Sequence, residues 1–418
     1  MLNKDGVREL AYVVTIDNIE PIPGYDRVEW ATVGGWKVIV QKDQFNIGDP
    51  AIYFEIDSKV PSDKECFAFL EKRHYKVKTL KMCKVISQGL LMHAEDFGWK
   101  IKEDNDGSPV IETYIPGQDY SLHRADNESR FLTQKLGVTY ADAEDNQRKA
   151  PSVDKYKKMA QRHPAVFRKP FVRWLMKRKW GKDLMFFFFG KKKDKKNGWP
   201  EWVSKTDEER VQNMPWILND TGEWVVTEKI DGSSTTFTMK RGKRGKNEFY
   251  VCSRNVCFDS VDKPCYYDTN IYWEMAQKYD MYNALSKFLE DHPQCDWVTI
   301  QGETYGAGVQ RRDYSLEGHD FLAFNLVTSD RGRWGTFEMI DELTIPYGIF
   351  CVPTYFAGPV TFDTLFGDAE DRMAKILEMA TGNSQLDKKP REGFVLRSVD
   401  GQKSFKAVSN EFLLKYHG

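Results

Sequence analysis

The 418-residue sequence has no CxxC pair. Its seven cysteines, Cys66, Cys83, Cys252, Cys257, Cys265, Cys295 and Cys351, are scattered singly and odd in number. A zinc site of the usual spacing therefore has no support, and the cysteines read as reduced thiols in a cytosolic protein. Long apolar runs are missing too. The greasiest stretch, "LMFFFF" (Leu184 to Phe189), falls far short of the roughly 20 residues that cross a bilayer, so no transmembrane segment is expected. The opening "MLNKDGVREL" has no apolar core, so no secretory signal is expected either. A cytoplasmic location, or an intracellular one in the host of a virus, follows as the expectation. Net charge is almost absent, at −1, and excludes no class of partner.

The distribution of charge is more informative. Residues 151–200 hold 16 Lys and Arg against three Asp, a local charge of +13, which leaves −14 for the other residues. A basic block on a mildly acidic body suits a polyanionic partner.

Three territories follow from composition and periodicity. Residues 1–125 read as short β-strands with Gly, Pro and Asp between them, in "AYVVTIDNIEPIPG", "VEWATVGGWKVIVQ" and "DPAIYFEIDSKVP". That rhythm argues a small all-β barrel or sandwich. Residues 126–222 form a basic and aromatic connector. Lysines and arginines there can neutralise phosphates while aromatics stack on bases; the four phenylalanines read better as a buried plug. A helix lying on anionic lipid is a weaker reading of the same stretch, and no membrane partner is expected. Residues 223–418 alternate strands with two helical patterns, "TNIYWEMAQKYDMYNALSKFLEDHP" and "DRMAKILEMATG". They end in a hairpin turned at Asp400-Gly401. The fold class read for the whole is α+β, with an all-β domain first.

The informative stretch is "EWVVTEKIDGSSTTF", residues 223–237. Its β-branched flanks predict a strand, yet Glu228, Lys229 and Asp231 crowd its end beside Gly232. Lys229-Ile230-Asp231-Gly232 fits KxDG, the nucleophile motif of covalent nucleotidyltransferases. Alone it is weak. Downstream, in order, come "SRN" with Arg254, "QGETYG" with Glu303, "FLAFNL" with Phe324, "EGFVLR" with Glu392 and "KSFKAVS" with Lys406. Together these resemble motifs I, Ia, III, IIIa, IV and V of the ATP-dependent RNA and DNA ligases and mRNA capping enzymes. The resemblance runs from Thr227 to Ser409 and is nearest to the RNA ligases. "VSKTDEERVQNMP" (Val203 to Pro215), just upstream, resembles RNA ligases that carry an N-terminal OB domain, RNA ligase family five. "NIGDPAIYFEIDSKVP" in turn resembles the strand-turn-strand of OB-folds, although a generic β-barrel used as a spacer is the plainer reading. DNA ligases and capping enzymes place an OB-fold after motif V, and only twelve residues follow Lys406 here.

An ordinary lysine amine, with a pKa near 10.4, is protonated at pH 7 and cannot attack phosphorus. A cation or desolvation must lower it, and a divalent metal near the α-phosphate does both. The resemblance implies ATP and Mg²⁺ or Mn²⁺ as cofactors. It implies Lys229 as nucleophile and Asp231, Glu303 and Glu392 as the carboxylates around the metal, through water. Lys406 would hold the α-phosphate. A second lysine often stands two residues before it in such ligases, where this chain has Ser404. Glu228 is placed to read the adenine amine, and Gly232 belongs to the nucleotide loop. Arg254 would contact the ribose or an RNA 5′-phosphate. Phe324 would stack on adenine or else be core. Arg311 and Arg312 of "GAGVQRRDY" would touch phosphates or lie in a surface loop. Lys191, Lys192 and Lys193 would touch nucleic acid. The implied partner is RNA with 5′-phosphate and 3′-OH ends, duplex or otherwise structured, with no protein partner implied. The rival readings are a DNA ligase, a capping guanylyltransferase and a non-catalytic RNA-binding protein.

Overall fold

In the N-terminal part the strands are β1 (Ala11–Thr15), β2 (Asn18–Ile22), β3 (Tyr25–Val33), β4 (Trp36–Gln41), β5 (Pro50–Phe54) and β6 (Leu90–Met92). Side chains alternate across a strand, and in β4 that buries Trp36, Val38 and Val40 while Gln41 stays exposed. Antiparallel β2-β3-β4 and β1-β5-β6 form two three-stranded sheets. They share a core that includes Tyr12, Ala31, Trp36, Val38 and Tyr53. A second cluster adds Phe54, Phe67, Leu132, Leu136 and Val138. The core of the β-rich domain therefore runs beyond residue 125, and Thr139–Tyr140 pairs antiparallel with Ser58–Lys59. The computed structural model describes residues 1–3, 5–82, 84–103, 109–113, 131–141, 172, 175, 178, 198–242, 246–258, 260–263, 265–267, 269–367, 369 and 371–417. Lys191, Lys192, Lys193 and the run of four phenylalanines lie outside the described residues.

The C-terminal part is built on two antiparallel sheets. One contains β7 (Trp224–Lys229), β14 (Gly393–Ser398) and β15 (Ser404–Val408), in the order β7-β14-β15. The other runs β10-β9-β8-β11-β12-β13. Its strands are β8 (Ser233–Lys240), β9 (Glu248–Ser253), β10 (Cys257–Phe258), β11 (Trp297–Gly306), β12 (His319–Thr328) and β13 (Gly332–Arg333). Helices α1 (Ile271–Lys278), α2 (Met281–Asp291) and α3 (Thr336–Tyr347) cover the larger sheet, and α4 (Arg372–Ala380) packs beside the smaller one. Met275, Leu285, Phe288 and Leu289 from α1 and α2 meet Phe237, Ile300 and Phe321 of the larger sheet in one core. Trp224, Phe394, Leu396 and Phe405 of the smaller sheet meet Phe362 and Ile376 in another. Buried polar groups are normally hydrogen-bonded, and on β7 the Thr227 hydroxyl donates to the Val395 carbonyl at 3.1 Å.

The helical pattern expected over residues 269–293 is broken in two. Asp280 has φ +46°, a left-handed conformation that ends α1 and starts α2. Its short carboxylate makes this tolerable by accepting from the Asn283 amide at 2.9 Å. The hairpin at Asp400-Gly401 forms as expected, with Arg397 opposite Ser404 and Val395 opposite Lys406. Among the described residues no helix is long and apolar enough to cross a membrane.

Candidate active site

Lys229 is the last residue of β7 and Ser233 the first of β8. Ile230, Asp231 and Gly232 thus carry the chain from the small sheet to the large one. Gly232 is needed because the crossing runs hard against β11: a Cβ there would lie 2.4 Å from the Thr304 carbonyl oxygen and 2.8 Å from Glu303 Cγ. Gly232→Ala is expected to destabilise the fold by about 1–3 kcal/mol, the range for overpacking, and to push Glu303 away from the lysine. Urea unfolding measures the first effect, and an unchanged midpoint would contradict the tight crossing.

β8 pairs with β11 so that Ser234 stands opposite Glu303. Across the gap, Lys229 stands opposite Gly393 at the head of β14, placing Glu392 beside it. The Lys229 amine donates to Glu392 Oε2 at 3.0 Å. These residues line one cleft of about 300 Å³, together with Asp231, Arg254, Phe324 and Lys406. Asp231 is buried, and its backbone N–H donates to the Tyr314 hydroxyl at 2.7 Å.

The charges of the cleft hold one another out of their ordinary ranges. Burial alone would lower the Lys229 pKa, but Glu392, Glu303 and Asp231 outweigh it and raise the value. Burial pushes Glu303 up to about 8, with Glu392 and Asp231 adding to the rise against the pull of Lys229. Glu392 is raised chiefly by burial, against the same lysine. Lys406 goes the other way, down to about 8, because it is buried and faces the cations of Lys229 and Arg210. Glu228 is 2% exposed and raised by burial, and Oε2 of its carboxylate accepts the Gln385 backbone N–H at 2.8 Å.

Phe324 reaches the cleft through a β-bulge. On β12, Asn325 pairs with Gln301 and Ala323 with Gly302, leaving Phe324 as the extra residue. A bulge re-aims its side chain, and the ring, half-buried, lines the cleft instead of filling the core. Gly302 permits the irregularity: a Cβ there would sit 2.3 Å from the Leu322 carbonyl oxygen. Arg254 stands in the turn after β9, paired with Asp207 at 2.5 Å, both more than half exposed.

Two family models match the chain. An OB-fold domain matches residues 10–94 and an RNA ligase domain matches residues 222–417. The chain carries an RNA ligase domain. It is an enzyme of that class, with an OB-fold domain on its N-terminal side. Among solved structures, it is similar over its whole length to Naegleria gruberi RNA ligase. A mutant with ATP and Mn has a TM-score of 0.62 at 23% identity, over 98% of this chain and 100% of that one. The form with PPi has a TM-score of 0.60 at 24% identity, over 98% and 99%. A further mutant without ligand has 0.61 at 25% identity, over 98% and 99%. Identity at this level speaks for the shared fold. No curated protein matches.

Two arginines read from the sequence as phosphate contacts, Arg311 and Arg312, lie elsewhere than the cleft. Arg312 is 2% exposed, donates to the Pro390 carbonyl at 2.6 Å, pairs with Asp387 and stacks on Tyr314 at 4.0 Å. It is a structural brace and not a phosphate contact, because its charge is spent inside the fold. Arg311 is exposed and donates to the Tyr416 carbonyl at 3.0 Å, tying the 307–313 loop to the last turn of chain. Neither lines the cleft of the ligase domain, and the three lysines at 191–193 fall outside the described residues.

Other cleft residues had no role assigned from sequence. Arg397 ends the "EGFVLR" string, and Thr206, Asp207 and Glu208 belong to "SKTDEER". Ser404 donates its hydroxyl to Glu208.

Among the described residues no three acidic, His or Cys side chains converge closely enough to ligate a metal directly. The donor set of the ligase cleft still suits one. Asp231, Glu303 and Glu392 are all oxygen donors, which Mg²⁺ and Mn²⁺ prefer. The raised Glu303 and Glu392 mark negative charge that a cation would relieve. A hydrated ion held through its waters fits this arrangement.

Proposed function

We propose that this RNA ligase is ATP-dependent and seals 3′-OH and 5′-phosphate RNA ends, in nicked duplex or otherwise structured RNA. The observation that carries the reading is the set of Lys229, Glu303, Glu392 and Lys406 in one cleft, with the lysine amine 3.0 Å from Glu392. Support also comes from the ligands found in the Naegleria ligase: ATP and Mn in one form, AMP and Mn in another and PPi in a third.

In this reading the Lys229 amine gives up its proton and attacks the α-phosphorus of ATP. An N–P bond forms, the Pα–O bond to pyrophosphate breaks, and Lys406 stabilises the charge on the phosphate. A bound divalent cation would supply Lewis-acid stabilisation of that charge and disfavour the protonated lysine. The AMP then passes to an RNA 5′-phosphate, which restores the free lysine. A 3′-hydroxyl attacks the adenylylated end, AMP leaves and a phosphodiester remains. Glu228 reads the base, Phe324 stacks on it and Arg254 meets the ribose or the RNA phosphate. Positioning and electrostatics carry most of such a reaction. The OB-fold domain and the basic residues 151–200 supply RNA contact.

The test is a strand-sealing assay on duplexes nicked in RNA or in DNA, with α-labelled ATP or GTP and Mg²⁺ or Mn²⁺. The expected result is sealing of the RNA nick with ATP and an adenylylated RNA strand as intermediate. Equal sealing of DNA would move the reading to a DNA ligase, and label from GTP would move it to capping. RNA retention without any label would leave a binding protein.

A further inference from the structure

Arg397 is the most constrained cation in the cleft. It is 4% exposed on β14, yet it lines the cleft. Its Nη2 donates to Glu208 Oε1 at 2.9 Å, and its Nη1 lies 3.4 Å from the Thr227 hydroxyl. The guanidinium carbon sits 5.6 Å from the centre of the Phe324 ring. Its Nε, a buried donor, has no hydrogen-bond partner among the described residues. Leaving a buried donor unpaired is costly, and a ligand acceptor in the cleft would remove that cost.

What kind of acceptor follows from the charge. Glu208 neutralises Arg397 and is itself held ionised: burial would raise its pKa, but Arg397, the Ser404 hydroxyl and Arg333 lower it. Ser404 and Arg397 are cross-strand neighbours on β15 and β14, so the hydroxyl and the guanidinium grip Glu208 from the same hairpin. A cation already paired in this way offers little attraction to a phosphate, yet it keeps a directed N–H. Lys406 makes no such salt bridge among the described residues, and it stands two residues further along β15, opposite Val395. Along β14 the cations follow in register, Lys229 opposite Gly393, Lys406 opposite Val395 and then Arg397, so Arg397 stands farthest from the nucleophile, beside Phe324.

We propose that Arg397 binds the nucleoside part of the nucleotide through its N–H, beside the ring of Phe324, and that Glu208 and Ser404 are positioning residues for it. This rests on the reading of the cleft as a nucleotide site. Arg397 therefore contributes to the choice and hold of the nucleoside, and not to neutralising phosphate.

Equilibrium binding in a Lys229→Ala background tests this without any dependence on catalysis. ATP affinity is measured directly, and inorganic tripolyphosphate is titrated as a probe that has the phosphates but no nucleoside. Arg397→Met is expected to weaken ATP about tenfold and leave tripolyphosphate unchanged, the scale of one hydrogen bond to a charged group. Glu208→Gln, which keeps the shape but frees the guanidinium, is expected to weaken ATP several-fold and to tighten tripolyphosphate. Arg397→Lys serves where the methionine variant fails to fold, and it is expected to recover part of the ATP affinity. Equal weakening of both probes would make Arg397 a phosphate ligand and overturn the assignment. Unchanged ATP affinity in a folded variant would make it a brace alone. Binding of tripolyphosphate but not ATP by the parent protein would instead sink the nucleotide reading itself.

Discussion

Lys229→Ala and Lys229→Arg are both expected to take no label from α-labelled ATP on a denaturing gel, a loss on the order of 10⁶, the scale seen when an enzyme loses its nucleophile. The arginine variant makes the test sharp. It keeps a cation facing Glu392, so the ion pair that holds the small sheet's end to Glu392 survives. It cannot give up its proton near neutral pH, so it cannot attack phosphorus. Loss in both variants assigns chemistry to the amine, whereas label on the arginine variant would place the covalent bond on another residue. The structure adds a condition. With Glu392, Glu303 and Asp231 around it, the Lys229 amine is held protonated more firmly than a lysine in water. The three acids that raise it must first be engaged by positive charge, so labelling of the wild type is expected to require a divalent cation and to rise with pH. Labelling at full rate in the presence of a chelator would contradict that account.

Part of the site could be read from the chain because Lys229 and Glu392 sit where strands end. Lys229 closes β7, Glu392 precedes β14 and Lys406 lies in β15, and strand ends are readable as β-branched runs bounded by Gly and Asp. Glu303 in "QGETYG" carried no such mark of its own, and only its order among the other motifs singled it out. The pairing of Arg397 with Glu208 was not legible. The two residues are 189 apart in sequence and meet only because residues 203–213 run alongside β15, with the Lys406 N–H donating to the Glu209 carbonyl at 2.8 Å. Arg312 misled in the opposite direction. Polar residues around "QRRDY" suggest an exposed loop, but Asp387 and the Pro390 carbonyl come from 75 and 78 residues away to bury its charge.

The helices show the same division. The α4 pattern was readable because Ile376 and Ala380 repeat at helical spacing on a buried face and Asp371 caps the start, accepting the Ala374 N–H at 2.8 Å. In contrast, α3 contains Pro346 and two exposed or half-exposed β-branched residues, Ile345 and Thr344, which argue locally against a helix. Tertiary packing decides it, through Met339 and Leu343 in the larger core. The Phe324 bulge lies beyond sequence reading altogether, since an apolar residue in an apolar strand gives no sign of which register the partner strand will take.

Glu303→Gln is expected to lower ATP labelling on the order of 10²-fold, the upper range for groups that hold a metal's outer shell, and to change how stability depends on pH. The sign follows from the direction of the shift. The fold raises this carboxyl from 4.5 to about 8, so the folded chain binds its proton more tightly than the unfolded chain. The stability gained is fully present below about pH 4.5 and is lost as pH rises through about 8. With divalent ions chelated, the wild-type melting temperature is therefore expected to fall between about pH 5 and pH 8 relative to Glu303→Gln, whose amide does not titrate. Mg²⁺ or Mn²⁺ should flatten that fall in the wild type, because an ion in the cleft favours the ionised carboxylate. It should do little to the Gln variant, which retains only Asp231 and Glu392. Parallel melting profiles for the two proteins would mean that the Glu303 proton is not held by the fold. The negative charge of the cleft would then be carried by Asp231 and Glu392 alone.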